Sequence, residues 1–277
     1  GLEAALISKK IGAPVKLIYK REDDITQGTF RPAYKAVYKA ALDEKNRLIA
    51  LSIKGVGLPS GPIFPNRFPA GAIDHYKAEN KSSSTNISTG AWRAPKSNFT
   101  AGAEQAFIDE IAEICEKDPI DFRLELLNRV IRNPVGENLD YDPKRFIGAL
   151  NLVRDKSSWD NDKNKFKGVS SYFCHNTYVA EVIEMVMIDN QPKIKNIWCA
   201  VDCGIVINKN SAKNMIEGGI VDGIGHALYS KLKFKNGAVT NNNFDKYNLI
   251  RHNQSPANIK VFFVENKLPP TGLGEPG

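Results

Sequence analysis

The 277-residue chain has no long hydrophobic run, and no apolar stretch approaches the ~18 residues that a membrane-spanning helix requires. The first residues also lack the basic segment, apolar core and cleavage site of a secretory leader. There is no initiator methionine, and residues 2–11 already have the pattern of a helix. We therefore expect a chain that is cut at both ends, and the compartment, cytoplasmic or periplasmic, stays open.

Cysteine and histidine are scarce, with four of each in the chain. No second cysteine pair or histidine cluster completes the spacing of a zinc or iron–sulfur site, so no metal ligands are predicted. We expect the cysteines to be reduced, buried and structural. The cysteines are Cys115, Cys174, Cys199 and Cys203, and the histidines are His75, His175, His226 and His252.

Familiar catalytic signatures are missing as well: the chain has no P-loop, no GxSxG turn and no zincin motif. A glycine-rich run at 218–223 falls inside a predicted helix instead of at a strand–helix turn, which disfavours a dinucleotide-binding fold. Lys and Arg (38) exceed Asp and Glu (31), giving a net charge of +7. The densest basic groups, at 163–167 and 231–235, alternate as on a solvated strand face, so nucleic-acid binding is not expected.

The hydrophobic content of 42% and charged content of 25% are typical of a globular protein, and the patterning predicts an α+β fold with mixed sheets and packed helices. The region 57–89 is rich in Gly, Pro, Ser and Asn, and we interpret it as a functional loop or an insertion with short strands. Periodicity predicts helices over 2–11, 106–117, 119–127, 143–155 and 209–229. It predicts strands over 15–19, 34–42, 47–56, 168–174, 178–188, 193–202 and 258–265, and a hairpin turn at 236–237.

A polar run at 157–166 separates the helix-rich first part of the chain from the strand-rich second part. We predict a domain boundary there, with one domain over 1–156 and another over 157–277.

The final nine residues, 269–277, place one carboxylate, Glu275, among prolines and glycines. Prolines fix φ and glycines permit unusual backbone shapes, so the stretch fixes the direction of that carboxylate. Such a turn suits a proton-abstracting base, whereas a solvated Glu in a surface turn is the alternative.

Two further features stand out. Four glycines in the predicted helix 209–229 cost roughly 1 kcal/mol each relative to Ala, which indicates close approach of a ligand or close packing against another element. Trp92 and Arg93 lie between small residues just before the most regular helix, and they form either a site or a core Trp with a surface Arg.

Together these segments resemble the molybdenum-binding large subunit of the xanthine dehydrogenase/aldehyde oxidase family, in particular the isoquinoline 1-oxidoreductase beta-subunit group. The similar segments occur in family order over nearly the whole chain. They are GLEAA (1–5), GAPVK (12–16), REDD (21–24), GAWRAP (90–95), EQAFIDE (104–110), DPIDFR (118–123), VDCGIVIN (201–208), IEGG (216–219) and GLGEP (272–276). The resemblance implies the later part of a first molybdenum-cofactor-binding domain followed by part of a second.

The resemblance also implies residue roles. Glu275 would be the catalytic base, while Trp92 would wall a flat substrate and Arg93 would donate to developing negative charge. Residues that would contact the cofactor are Ala94, Met215, Glu217, Gly218, Gly219 and Gly274. The sequence differs from the family pattern at two of these places. Met215 stands where many relatives have a Gln that binds the cofactor, and residues 94–96 replace a glycine-rich run.

The implied cofactor is molybdenum–molybdopterin in its cytosine dinucleotide form, and the implied partners are a small [2Fe–2S] subunit and an electron acceptor such as cytochrome c. The substrate would be an aldehyde or an N-heterocycle, hydroxylated with water-derived oxygen. One alternative is a non-catalytic structural or binding module that keeps the scaffold. Another is an unrelated basic domain that binds polysaccharide or nucleic acid in a salt-sensitive way.

Overall fold

The computed structural model describes residues 1–161 and 166–277. The α+β expectation is confirmed, with two mixed sheets and a helical layer packed between them and against them. The helices are α1 (Leu2–Ile11), α2 (Arg21–Gln27), α3 (Ser97–Ile114), α4 (Pro119–Arg132), α5 (Pro143–Lys156) and α6 (Lys209–Leu228). The strands are β1 (Tyr34–Leu42), β2 (Leu48–Gly57), β3 (His75–Ser82), β4 (Phe166–Cys174), β5 (Thr177–Ile188), β6 (Gln191–Asp202), β7 (Phe234–Lys235), β8 (Ala238–Val239) and β9 (Asn258–Phe263).

The first sheet has the order β1-β2-β3. Strands β1 and β2 pair antiparallel through a turn in which the Asp43 carboxylate accepts from the backbone N–H groups of Lys45 and Arg47. Strand β3 pairs parallel with β2, which requires the long connection 58–74. That connection is largely buried, and with β3 it accounts for the Gly- and Pro-rich region 57–89.

Helices α4 and α5 begin at the same sequence signal, an aspartate followed by proline. The Asp118 carboxylate accepts from the backbone N–H of Ile120 and Asp121, and Asp142 caps α5 in the same way. Proline at the first helical position has no N–H to satisfy, so this pair is a strong helix start. The two helices pack on each other, and α5 also covers β5 and β6.

The second sheet has the order β4-β5-β6-β9, with β9 parallel to β6 after the α6 crossover. The β5–β6 hairpin turns at Asp189 and Asn190, which both have positive φ as a two-residue turn requires. Helix α6 starts at Asn208, whose side chain accepts from the Ser211 N–H. It packs over β9 and brings Gly219 next to Gly277, the last residue of the chain.

Two apolar cores are found among the described residues. The larger one joins α3, α4 and α5 to both sheets and continues from Leu48 to Ala200, while the smaller one lies between β6 and α6. Arg123 is fully buried within the larger core. Its guanidinium donates to Gln105 Oε1 at 2.9 Å and to Asp109 Oδ1 at 2.6 Å, so two of the resemblance segments, 104–110 and 118–123, interlock.

The structure contradicts two sequence predictions. Residues 15–19 are not a strand, because no strand among the described residues pairs with them, and Ile18 and Tyr19 are exposed. The helix predicted near 106–117 runs from Ser97 to Ile114, and Ile114, expected on its apolar face, is 63% exposed. The buried face of α3 is instead partly polar, comprising Ser97, Thr100, Glu104, Gln105, Ile108, Ile111 and Ala112. Hydrophobic periodicity cannot detect such a face.

Part of the polar run taken as a domain boundary, residues 162–165, lies outside the described residues, as do Lys163 and Lys165 of the predicted basic strand face. The four cysteines are free and buried, as expected. Among the described helices none is both long and apolar enough to cross a membrane.

Candidate functional site

Arg93 joins three of the sequence-predicted site segments. Its Nε donates to the Gly274 carbonyl at 2.6 Å, which fixes the last nine residues, 269–277, called the terminal turn below. Its Nη1 and Nη2 donate to the carbonyls of Gly218 and Met215 on α6, at 3.1 and 3.3 Å. Because one rigid, planar guanidinium binds all three carbonyls, it holds the terminal turn against α6.

A charged cluster surrounds this contact. Asp222 Oδ2 lies 3.7 Å from Arg93 Nη1, and Asp222 Oδ1 lies 3.6 Å from His226 Nε2. Arg31 Nη2 donates to the Arg93 carbonyl at 3.0 Å. Burial lowers the pKa of Arg31, while Asp222 and Glu275 are among the groups that oppose the change.

Two side-chain nitrogens of this cluster are buried without a hydrogen-bond partner among the described residues: Arg31 Nη1 and His226 Nε2. A buried guanidinium nitrogen without an acceptor is costly in a finished structure. An acceptor atom of a bound ligand would complete the hydrogen bonding of Arg31 Nη1.

The glycines of α6 serve different purposes. A Cβ at Gly219 would lie 2.7 Å from the Gly277 carbonyl oxygen, so Gly219 is needed for the close approach of the terminal turn. A Cβ at Gly218 or Gly223 would meet nothing within 4 Å. Close packing is therefore confirmed for Gly219, whereas the approach of a ligand to the open surface at Gly218 and Gly223 stays a prediction.

The terminal segment is also fixed on its other side. Thr271 N donates to the Cys203 carbonyl at 2.9 Å, and Thr177 Oγ1 donates to the Gly272 carbonyl at 2.6 Å. Gly204 has a φ of +72°, and a Cβ there would lie 2.2 Å from the Pro269 carbonyl oxygen. The terminal turn therefore packs directly against the segment 201–208.

Asp202 stabilises the segment 201–208 through its hydrogen bond from the Gly204 N–H. Although burial opposes it, hydrogen bonds from Arg145, the Gly204 N–H and Asn266 hold the pKa of Asp202 below its usual range. Arg145 Nη2 lies 2.7 Å from Asp202 Oδ1. This pair ties α5 to the end of β6, where the terminal segment crosses.

Glu275 itself contacts His175. Its Oε2 lies 2.5 Å from His175 Nε2, and the Glu side chain is 29% exposed against 54% for the His. His175 lies in the β4–β5 turn, beside a cavity of about 390 Å³. The cavity is lined by Phe64, Arg67, Pro95, Lys96, Ser97, Phe173, Cys174, His175 and Asn176. The Glu275 carboxylate is therefore next to a residue that lines this cavity.

Trp92 is 56% exposed, so it is not a core tryptophan. Its ring meets the edge of His226, with centroids 6.4 Å apart. Ala94 and Lys96, on either side of Pro95, have positive φ values of 54° and 63°. Such strained backbone in non-glycine residues is concentrated at functional sites, and here it turns the chain sharply between Arg93 and α3.

Two remaining predicted residues lie on α6. The Met215 methyl group is 3.7 Å from the position of a Cβ on Gly274, so its thioether packs on the terminal turn. Glu217 lies one helical turn after Lys213 and pairs with it at 3.5 Å. The structure thus brings Arg93, Met215, Gly218, Gly219 and Gly274 into one contact, while the Glu217 carboxylate pairs along its own helix.

Sequence reasoning missed Arg31, Cys174, His175 and His226 as site residues. Arg31 reaches the site because Phe30 pairs with residues 88–90: its N–H donates to Ser88, and its carbonyl accepts from Gly90. No spacing within the sequence reveals a contact across about 60 residues. Only His175 had a local signal, because it falls between the predicted strands 168–174 and 178–188.

The fold and this site define an α+β protein with an open glycine surface and one buried arginine nitrogen that has no hydrogen-bond partner among the described residues. Two profiles described as molybdopterin cofactor-binding domains match it, at residues 2–127 and 125–256. Because the two profiles together cover residues 2–256, the chain belongs to the molybdopterin cofactor-binding domain family. The profiles meet within α4, and the boundary at 156/157 stays a prediction.

Individual relatives agree. The chain is 28% identical over 300 residues to isoquinoline 1-oxidoreductase subunit beta of Brevundimonas diminuta, covering 100% of the chain and 37% of that protein. It is 26% identical over 314 residues to a membrane-bound aldehyde dehydrogenase [pyrroloquinoline-quinone] of Gluconacetobacter polyoxogenes, covering 100% and 40%. The chain therefore spans well under half the length of these relatives.

Solved structures share the fold. Quinoline 2-oxidoreductase from Pseudomonas putida 86 superposes with a TM-score of 0.73 at 13% identity, covering 99% of this chain and 61% of that one. Aldehyde oxidoreductase from Desulfovibrio gigas gives a TM-score of 0.74 at 12% identity, covering 98% and 48%. The fold expected from the sequence resemblance is confirmed.

Proposed function

We propose that the intact subunit is a molybdenum hydroxylase that oxidises an aldehyde or an N-heterocycle, with Glu275 as its general base. One observation carries the proposal: Glu275 is on the turn that Arg93 binds to the open glycine surface of α6. Base and cofactor surface are thus held by a single side chain.

The residues present fit a molybdopterin cofactor. The unpaired Arg31 nitrogen supplies a buried donor for a phosphate or pterin oxygen, and the open surface at Gly218 leaves room for it. When bound, the group would supply an activated oxygen and an electron sink. We extend the proposal to the cytosine dinucleotide form, a small [2Fe–2S] partner subunit and an acceptor such as cytochrome c.

This chain's residues have four roles in the proposed reaction. Glu275 accepts a proton at its carboxylate, and Arg93 holds the backbone that aims it. Trp92 offers an exposed ring face for a flat heterocycle. The remaining cofactor contacts are assigned to Ala94, Met215, Glu217, Gly218, Gly219 and Gly274.

Replacement of the base tests the proposal. In the intact enzyme with its small subunit, Glu275→Gln should retain molybdenum and pterin but lose turnover by about 10²–10⁴-fold, the usual contribution of a general base. The exposed Glu265, between β9 and the terminal turn, provides the matched control, and Glu265→Gln should keep normal turnover. Near-normal turnover in Glu275→Gln would remove Glu275 from this role.

The non-catalytic alternative keeps one specific observation: Met215, not an amide, packs on the turn. It predicts a folded protein free of molybdenum and pterin when made in a host that synthesises the cofactor. Elemental and fluorescence analysis of such a preparation decides between the two functions.

A further inference from the structure

Three side chains with metal-binding donors meet where the β4–β5 turn touches the terminal turn. Cys174 supplies a sulfur, His175 a ring nitrogen and Glu275 a carboxylate oxygen, and these atoms lie within 4.8 Å of one another. Neither the sequence spacing nor the family resemblance assigns a metal to this group. Cys174 and His175 are neighbours in the chain, but Glu275 is about 100 residues away.

The backbone holds both turns in place. The Gly272 N–H donates to the His175 carbonyl at 3.4 Å, and Thr177 Oγ1 donates to the Gly272 carbonyl at 2.6 Å. His175 and Asn176 have positive φ values of 51° and 60°, which makes the β4–β5 turn tight. Because these contacts fix the backbone, bringing the donors together requires little ordering of the chain.

The donor set matches the preferences of zinc. Zn²⁺ accepts thiolate, imidazole and carboxylate ligands together, at about 2.0–2.3 Å, which places ligand atoms roughly 3.3–3.8 Å apart. To hold one ion, the Cys174 sulfur must approach the other donors by up to about 1.5 Å, whereas His175 Nε2 and Glu275 Oε2, now 2.5 Å apart, must separate by about 1 Å. Both changes are within the reach of side-chain rotation. A thiolate and a carboxylate would neutralise the two charges of the ion.

A fourth position is available. The cavity of about 390 Å³ is lined by both Cys174 and His175, and it is large enough for water or a small anion. Arg67 and Lys96 also line it, and their positive charge favours an anionic or water ligand over a second cation. Three protein ligands with one open position are the arrangement of a non-structural zinc site.

We propose that Cys174, His175 and Glu275 bind one divalent cation of the zinc type, with the fourth ligand coming from the cavity. Binding of the cation by these three residues does not depend on the proposed hydroxylase function, whereas inhibition of turnover by the cation rests on it. A carboxylate that coordinates a cation cannot accept a proton, so the bound ion would inhibit turnover by occupying the base.

Direct binding tests the site without the molybdenum cofactor. The intact subunit, purified in cofactor-free form, is titrated with Zn²⁺ by calorimetry and with Co²⁺ by absorption spectroscopy. We expect one ion per chain and a cobalt–thiolate charge-transfer band. Failure to observe saturable binding, or a cobalt spectrum without the thiolate band, overturns the proposal.

Substitutions assign the ligands. Cys174→Ser, His175→Gln and Glu275→Gln should each weaken Zn²⁺ binding by more than about 10-fold, because each removes one of three protein donors. Cys115→Ser is the matched control, since Cys115 and Cys174 are both 6% exposed and only Cys174 belongs to the group. Unchanged binding in His175→Gln, a change in an exposed turn that is compatible with folding, contradicts the three-ligand site.

The loaded enzyme separates the two proposals. If both hold, Zn²⁺ inhibits turnover at the concentration at which it binds the cofactor-free protein. An enzyme that binds zinc with these three ligands but has no hydroxylase activity refutes the proposed function alone. An active enzyme whose cofactor-free form binds no zinc refutes the metal site alone.

Discussion

Two arginines organise two regions of the molecule in different ways. Arg123 has no exposed surface and bonds to the side chains of Gln105 and Asp109 and to two backbone carbonyls inside the larger core. Arg93 is 29% exposed and binds three backbone carbonyls at the surface of α6. The first interlocks helices and a strand, while the second positions a turn.

The difference shows how stability and function are divided. In the larger core Gln105 also accepts from the Ser171 N–H, so helix α3, helix α4 and strand β4 depend on the same polar network. Arg93 instead donates to three backbone carbonyl oxygens, which every residue type supplies. We therefore expect substitutions near Arg123 to affect folding and substitutions near Arg93 to affect the site.

The largest effect is expected for Arg123→Met. This change removes the Arg123 hydrogen bonds to the buried Gln105 carbonyl and to Gln105 Oε1, which keeps its bond from the Ser171 N–H. Losing hydrogen bonds from a buried charged donor costs about 3 kcal/mol. Urea unfolding measures the loss. If Arg93→Met lowers the free energy of unfolding equally, the contrast between the two regions is wrong.

A pH effect in the same core should come next. Burial raises the pKa of Glu104 to about 8, although Gln105, Arg67 and Arg123 oppose the change. Between about pH 4.5 and 8 the folded chain then holds a proton that the unfolded chain releases. Stability should fall with rising pH over that window, by at most about 1.4 kcal/mol per pH unit.

Glu104→Gln should flatten this pH dependence, because the amide does not titrate. Glu113 is exposed on the same helix, and Glu113→Gln serves as the control that leaves the slope unchanged. Urea unfolding from pH 5 to 8 measures both slopes, and equal slopes in wild type and Glu104→Gln contradict the assignment.

A smaller effect should separate two adjacent glycines of α6. In an exposed helix Gly→Ala gains up to about 1 kcal/mol, and Gly218→Ala has the space to do so. Gly219→Ala drives a methyl group into the Gly277 carbonyl, so we expect it to be less stable than Gly218→Ala by about 1–2 kcal/mol. Thermal unfolding of the pair measures the difference, and equal stabilities would show that the terminal turn does not lie on Gly219.

The smallest global change is expected for Arg93→Met. Its loss should alter the free energy of unfolding by less than about 1 kcal/mol while freeing the terminal turn from α6. Hydrogen exchange should then accelerate at the backbone amides of residues 271–275 and stay unchanged in α4. Unchanged exchange in the turn would show that contacts to Cys203 and Thr177 suffice to hold it.

Local chemistry made most elements predictable. Asp118 and Asp142, each an N-cap followed by proline, predict the starts of α4 and α5. Alternation of apolar and polar residues predicts β1, β2 and the strands β4 to β6. Prediction failed where tertiary partners decide: residues 15–19 have a strand pattern without a neighbouring strand, and α3 buries Glu104 and Gln105. Buried polar groups are satisfied by distant residues, which periodicity does not record.

The candidate site divides in the same way. The family and the segments that form the site were predictable from the residues alone, because the similar segments are recognised by their residues and their order along the chain. Arg31, Cys174 and His175 entered only from the tertiary structure, through the Phe30 pairing and the β4–β5 turn. The physical reason is that backbone carbonyls and bare glycine surfaces carry no side-chain signature, so only the packed fold decides that Arg93 and Gly219 place Glu275 where it lies.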